Sequence, residues 1–304
     1  MRVVVTGGSG RLGRSLVTGL ADAGHELISV DRAPVAELDR DGVRQLSLDL
    51  TDADAAASAL AETSADALIH LAAIAVPFSA PEDVILRTNA ALAQSVLGGA
   101  VRAGIHRVVA ASSPTVIGYG APRGWTPGRL PLDETSPVEP WNAYALSKLL
   151  IEQTVAMLQR QTGDDVRFAS FRPCYVIAPE EWAGAPTQQG HTVLERLDDP
   201  ALAAPALFNY VDARDVASFA DTLLAALDEI PNGEVFFVGA DDALARRPLS
   251  ELLPQFHPGT SRAASELTDR APAFSSTKAA RLLGWHPTRT WRDELVTTPT
   301  ASVS

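Results

Sequence analysis

The chain has 304 residues, 46% of them apolar, and a formal net charge of −12. That length holds one large or two modest domains. The acidic balance argues against a nucleic-acid partner, whose phosphates it would repel, and the single cysteine, Cys174, rules out an intrachain disulfide and a cysteine zinc cluster. Residues 1–5 run straight into an apolar segment with no charged-then-apolar leader pattern. The longest nearly apolar run, 67–78, falls short of the roughly 20 residues a membrane helix needs. A cytoplasmic chain with no membrane partner and no metal is expected.

Residues 2–5 form a valine-rich run that reads as a buried strand. A glycine turn over 6–13 follows, and apolar periodicity predicts a helix over 12–23. Strand, glycine turn and helix in that order are the setting a dinucleotide fingerprint requires. Gly7 and Gly10 permit a tight turn and close approach of backbone to a pyrophosphate, and Gly13 lets the helix pack on the strand. The helix start, with Arg11 and Leu12, turns its partial positive charge toward the phosphates. The next strand, 25–30, leads into Asp31, eighteen residues past Gly13. A carboxylate there accepts hydrogen bonds from the adenosine ribose and repels a 2′-phosphate, which favours NAD. Arg11 and Arg32 could pair with such a phosphate and leave NADP open.

Strands predicted over 43–48, 67–71, 107–111 and 166–171 alternate with helices over 52–62, 81–103 and 142–161. This alternation implies an α/β fold, a Rossmann-type doubly wound parallel sheet with a smaller C-terminal substrate-binding lobe. Ligands then sit beyond the carboxyl ends of the strands. Residues 1–172 are expected to form the NAD-binding domain, joined by a returning segment near 211–240 that includes a strand over 235–238. Residues 173–210 and 241–304 are expected to form the substrate lobe, with proline-rich 179–205 as a lid, short helices over 250–295 and a frayed tail over 297–304.

Tyr144 and Lys148 stand one helical turn apart and project from one face. An ammonium beside a phenol favours the phenolate and lowers its pKa. Such a tyrosine can take a proton from an alcohol or return one to a carbonyl. The chain has only two lysines, Lys148 and Lys278, and an arginine would not serve as a compact point charge here. His70, at a strand end, reads as a packed histidine rather than a base.

The turn 6–13 taken with Tyr144 and Lys148 resembles the extended short-chain dehydrogenase/reductase family of NAD-dependent epimerases and dehydratases. Matching segments run along nearly the whole chain: 48–50, 70–73, Asn89, 111–118, 131–137, 171–173, 210–217 and 277–285. The resemblance implies that Asp49 and Leu50 lie by the adenine, and that Leu71, Ala72, Ala73, Asn89, Ser112 and Pro173 lie beside the cofactor. It implies Ser113 holding the reacting oxygen, Tyr144 as general base, and Lys148 binding the nicotinamide ribose. Ser113, Pro114, Thr115 and Tyr175 would face the substrate, with Gln188, Asn209 and Arg214 as further polar candidates by position. The helices over 81–103 and 142–161 resemble those that pair in a homodimer of this family.

Departures from the family pattern narrow the chemistry. Pro114 and Thr115 occupy the positions where the sugar-nucleotide dehydratases carry an Asp-Glu pair, so elimination of water is disfavoured. Tyr175 replaces an asparagine that helps hold a nucleotide diphosphate, Ala178 replaces a glycine, and Ile117 a tyrosine. Residues 112–118 are similar, over a short stretch, to sugar-acid dehydrogenases of the family. The expected function is hydride transfer between the nicotinamide and a secondary alcohol or hemiacetal of a polar, sugar-like small molecule. The alternatives are a sugar-nucleotide epimerase with tightly held NAD and a non-catalytic dinucleotide sensor; the Tyr144–Lys148 pair counts against the sensor.

Overall fold

A computed structural model of the chain describes residues 1–297; the expected tail lies outside them, save Thr297. The strands are β1 (Arg2–Thr6), β2 (Glu26–Asp31), β3 (Val43–Ser47), β4 (Ala67–His70), β5 (Arg107–Ala111), β6 (Arg167–Pro173), β7 (Val176–Ile177), β8 (Val211–Asp212) and β9 (Glu234–Val238). The four long helices between β1 and β6 are α1 (Arg11–Asp22), α2 (Ala53–Thr63), α3 (Glu82–Arg102) and α4 (Ala143–Thr162). A further helix, Ala213–Ala226, was not anticipated in the sequence.

Seven strands form one sheet in the order β3-β2-β1-β4-β5-β6-β9, and the pairs from β3 through β6 are parallel. Chain order reverses between β1 and β4, so the crevice of a doubly wound sheet opens beyond their carboxyl ends. Side chains alternate between the two faces of each strand. Val4, Ile28, Leu68, Val108 and Phe168 share one register row and one face. They form a continuous apolar cluster with Leu60 of α2, Val96 and Leu97 of α3, and Ile151 and Val155 of α4. At about 25 cal/mol per Å² of apolar area buried, such a cluster is the main source of stability of this layer. Phe171 packs against Phe219 of the helix Ala213–Ala226, which in turn packs on Phe236 of β9.

Local signals set the helix ends. Asp52 accepts from the backbone N–H groups of Asp54 and Ala55 and caps α2. Asn142 accepts from Ala145 N at 2.9 Å and caps α4, while Glu82 at the start of α3 accepts from Ala143 N at 2.8 Å. Among the described residues α3 alone is long and apolar enough to cross a membrane, with 56% of that window buried. Its apolar residues are committed to the cluster against α2 and α4.

Contacts divide the chain into two compact units. Unit 1 comprises Met1–Gly118, Pro137–Arg172 and Ala217–Phe236; unit 2 comprises Tyr119–Ser136, Pro173–Val216 and Phe237–Ser304. Two differences from the sequence reading are plain: residues 119–136 fall in unit 2, and the returning segment of unit 1 is 217–236 rather than 211–240. The first differs because Leu132 pairs with Phe274, through Leu132 N to Ala273 O and Ser275 N to Leu132 O.

Unit 2 has its own apolar cluster, with Ile177, Trp182, Val193, Leu197, Tyr210, Leu244 and Trp291. Strands β7 and β8 pair in parallel beside it. Trp182 Nε1 donates to Asp212, and Trp291 N donates to the Tyr210 hydroxyl. Proline-rich 179–205 folds into short helices here, Pro179–Trp182, Val193–Asp198 and Pro200–Ala203.

Candidate active site

The glycine turn lies at the crevice. Gly7 sits at φ +75, a backbone conformation that only glycine adopts freely, and a Cβ on it would come within 2.7 Å of Ala72 N. The turns after β1 and β4 therefore touch backbone to backbone. A Cβ at Gly13 would lie 2.2 Å from Gly7 O, so α1 can start this close only with glycine there. A Cβ built on Gly10 would meet Gly7 O at 3.2 Å and, its chain neighbours aside, no other described atom within 4 Å, which leaves the outer side of the turn open to a ligand. Gly10 is the N-cap of α1, with Arg11, Leu12 and Gly13 in its first turn.

Asp31 ends β2 at the rim of this turn. Its carboxylate accepts from Ser9 N at 3.1 Å and Arg32 N at 2.7 Å. Arg32 is exposed, Leu50 is buried, and Asp49 is exposed, held below the usual carboxylate range by hydrogen bonds from Thr51 N and Oγ1. Leu71, Ala72 and Ala73 are half-buried on the turn after β4. A glycine cradle on a helix N-terminus, with a carboxylate at the next strand end, fits a dinucleotide.

The proposed catalytic side chains converge in unit 1. Ser113 is the N-cap of the short helix Pro114–Ile117 and receives hydrogen bonds from Thr115 N and Thr115 Oγ1. Tyr144 on α4 is 7% exposed, with the Ser113 hydroxyl near enough to its phenol to favour the phenolate. The Lys148 ammonium lies 5.9 Å from the Tyr144 ring centroid and donates to Ala111 O at 3.0 Å. Ser112 donates to the Lys148 carbonyl at 3.3 Å. Burial pushes the Tyr144 phenol up to about 12, with the Ser113 hydroxyl as the only opposing influence. Burial also lowers Lys148, to about 8.

Asn89 is hydrogen-bonded within unit 1. Its Oδ1 accepts from Ile74 N at 2.7 Å, and its Nδ2 donates to Ile74 O at 3.2 Å and to Ser147 Oγ at 2.9 Å. Both amide donors are used in joining the turn after β4 to α4. His70 is a packed histidine, 1% exposed, with Nδ1 2.8 Å from Thr6 Oγ1. Burial pushes its pKa down to about 3, so it stays neutral at physiological pH.

Pro173 and Tyr175 belong to unit 2. Tyr175 N donates to Asn209 Oδ1 at 2.7 Å, and the Tyr175 ring lies under Arg196. Arg214 is engaged by Asp212 and Glu294. The sequence reading missed Ser147, Glu82 and the buried pair Arg172–Glu152, in which Arg172 Nε and Nη2 donate to the two carboxylate oxygens at 2.8 and 2.9 Å. No local pattern marks that pair, because twenty residues separate its members. No group of three or more His, Cys, Asp or Glu among the described residues could hold a metal.

A doubly wound sheet with a glycine cradle and a Ser-Tyr-Lys cluster defines an enzyme of the extended short-chain dehydrogenase/reductase type. Residues 3–239 match the NAD dependent epimerase/dehydratase family, and the chain belongs to that family, whose cofactor is NAD. A UDP-glucose 4-epimerase of Mycolicibacterium smegmatis is 28% identical over 94% of both chains. A sterol demethylase protein B of Methylococcus capsulatus is 30% identical over 78% of this chain and 69% of that one. A UDP-glucose 4-epimerase of Azospirillum brasilense is 35% identical, but the match spans half of this chain and 43% of that protein. Among solved structures, a UDP-glucose-4-epimerase from Stenotrophomonas maltophila with bound NAD and formylated UDP-arabinopyranose superposes with a TM-score of 0.73 at 22% identity. That match covers 98% of this chain and 96% of the other.

Proposed function

We propose that this protein is an NAD-dependent oxidoreductase that transfers a hydride between the nicotinamide and a secondary alcohol or hemiacetal of a polar, sugar-like small molecule. The observation that carries the reading is the convergence of buried Ser113, Tyr144 and Lys148 beyond the end of β5, with Lys148 donating to Ala111 O one turn from Tyr144 on the same helix. NAD, when bound, supplies the hydride acceptor. Tyr144 moves the proton at the reacting oxygen and Ser113 holds that oxygen. With its phenol pushed up to about 12, Tyr144 keeps its proton at neutral pH, which suits donation to a carbonyl in the reductive direction. Oxidation needs the phenolate, which a positive charge at Lys148 favours. Gly7, Gly10, Gly13, Asp31 and the turn 71–73 would hold the dinucleotide. Asp31 favours NAD over NADP there.

The second reading is a sugar-nucleotide epimerase, supported by the full-length similarity to a UDP-glucose 4-epimerase. Against it stand Tyr175 and Ala178, where an asparagine and a glycine would serve the nucleotide diphosphate. Mass spectrometry of the dinucleotide released on denaturation separates the two. Near-stoichiometric NAD indicates an epimerase that recycles a captive cofactor. An empty protein that binds NAD reversibly, and yields NADH with free sugars or sugar acids, indicates the dehydrogenase.

We also infer a cytoplasmic homodimer paired through α3 and α4. Leu146, Leu150 and Met157 leave 36–38% of their surface exposed on α4, and the first two stand one turn apart. Sedimentation of the wild type and of Leu150→Glu checks this; a monomeric wild type overturns it.

A further inference from the structure

Ser113 is the N-cap of the short helix Pro114–Ile117, and an N-cap side chain accepts from the first N–H groups of its helix. Pro114 has no N–H to offer, so the first backbone donor that Ser113 Oγ meets is Thr115 N, at 3.3 Å. The Thr115 hydroxyl joins it on the same oxygen at 2.9 Å. An amide N–H can only donate. The side of Ser113 Oγ that faces Thr115 is therefore an accepting side, and a Ser113 hydrogen turned that way would meet the hydrogen of Thr115 N. Ser113 and Tyr144 are each 7% exposed, which limits the competition of water for the Ser113 hydrogen. Tyr144 stands near enough for the Ser113 hydroxyl to favour its phenolate, which a hydroxyl does by donating. All three residues lie in unit 1.

We propose that Thr115 is a positioning residue that fixes the polarity of Ser113: by donating to Ser113 Oγ from both its N–H and its hydroxyl, it turns the Ser113 hydrogen toward Tyr144 and the reacting oxygen. The hydrogen bonds then run one way, from Thr115 to Ser113 to the Tyr144 oxygen, and each donation in such a chain strengthens the next. Tyr144 does not spend its own proton on Ser113, so the phenol hydrogen stays available to a substrate carbonyl. An oxygen that gains negative charge, whether phenolate or alkoxide, finds a donor already aimed and needs no reorganisation at the moment of reaction. The proposal rests on the reading of Ser113 and Tyr144 as the catalytic pair, and it has Thr115 act through Ser113 instead of through the substrate.

Neutron diffraction from crystals of the full chain exchanged into heavy water reads these hydrogens directly. The Ser113 deuteron is expected on the line to Tyr144 Oη, and the Thr115 deuteron on the line to Ser113 Oγ. A Ser113 deuteron directed at Thr115 Oγ1 overturns the proposal. Ultraviolet resonance Raman spectroscopy gives the second measurement, because the intensity ratio of the tyrosine Fermi doublet tells an accepting phenol oxygen from a donating hydroxyl. Each spectrum is taken as the difference against the same chain carrying Tyr144→Phe. Thr115→Val keeps the shape and the N–H but removes the hydroxyl, and should shift the Tyr144 doublet toward the donating form. Thr115→Ser should restore the wild-type ratio, and on a Ser113→Ala background Thr115→Val should move nothing. An unshifted doublet in Thr115→Val, no recovery in Thr115→Ser, or a shift that survives Ser113→Ala overturns the proposal. Neither readout involves turnover. Its failure leaves the assignment of the proton to Tyr144 intact, whereas full activity in Tyr144→Phe would remove that assignment and leave the hydrogen positions as measured.

Discussion

Asn89 on α3 donates from Nδ2 to Ser147 Oγ at 2.9 Å, and Ser147 Oγ donates in turn to the Tyr144 carbonyl at 2.7 Å. The same amide holds both backbone groups of Ile74. One side chain thus joins the turn after β4, on the cofactor side, to the helix that carries Tyr144. Asn89→Ala would leave the Ile74 backbone and the Ser147 hydroxyl short of partners, at a cost of about 1–3 kcal/mol. A lower unfolding midpoint in urea, together with a fall in kcat, is expected. An unchanged midpoint would show that water replaces the amide without loss.

Tyr144→Phe removes the hydroxyl and keeps the ring, which is packed at 7% exposure. Turnover should fall by about 10²–10⁴, the range of a lost general acid or base, while NAD binding stays within a few-fold. Ser113→Ala should lower kcat less severely and raise the pKa of Tyr144 further, since the Ser113 hydroxyl is what opposes the burial effect. Full activity in Tyr144→Phe would refute the assignment of the proton to this residue.

Burial lowers Lys148 from 10.5 to about 8. Between those two values the unfolded chain binds the proton and the folded one does not, so stability rises with pH through that window. Below about 8 the full cost of burying the ammonium is present. Denaturation of the wild type against Lys148→Met at pH 7, 9 and 10.5 should show the deficit of the wild type shrinking as pH rises. His70 gives the matching effect in acid. Its pKa is lowered from 6.5 to about 3, so its contribution is lost as pH falls from 6.5 toward 3. His70→Gln should flatten that part of the stability profile, and a parallel profile would argue that the imidazole is wetter than 1% exposure implies.

Arg172 and Glu152 are 5% and 7% exposed at the side chain and bond bidentately. Removing one partner strands a buried charge, so Arg172→Met should destabilise by about 3–5 kcal/mol. The double variant Arg172→Met with Glu152→Leu should recover much of that, because an apolar pair of similar volume can replace a buried ion pair. A double-mutant cycle in guanidinium chloride measures the coupling. Additive losses would contradict a strong interaction between the two.

Asp31→Ala should weaken NAD binding and relax discrimination against NADP, since the carboxylate that would face the ribose is gone. Asp31 also accepts from Ser9 N in the glycine turn, so a modest loss of stability should accompany the change. Titration with both dinucleotides reads the ratio; an unaltered preference would move the specificity to Arg11 or Arg32.

The pattern of the chain by itself determined the sheet, the glycine cradle and the Tyr144–Lys148 spacing. These are short-range facts: alternation over five residues, a turn that needs φ > 0 at Gly7, one helical turn between two side chains. Strand and helix limits fell within a residue or two for the same reason, because caps such as Asp52 and Asn142 act over three positions. What only the tertiary structure decided depends on distant residues meeting. The Tyr144 phenol is pushed up rather than down because the fold buries it, and no spacing rule reports burial. Asn89 is spent on Ile74 and Ser147 because α3 packs on α4. Arg172 and Glu152 became visible as a buried pair only once β6 and α4 had met. In the sequence Arg172 is one arginine among many, and desolvation, which makes the pair informative, has no linear signature.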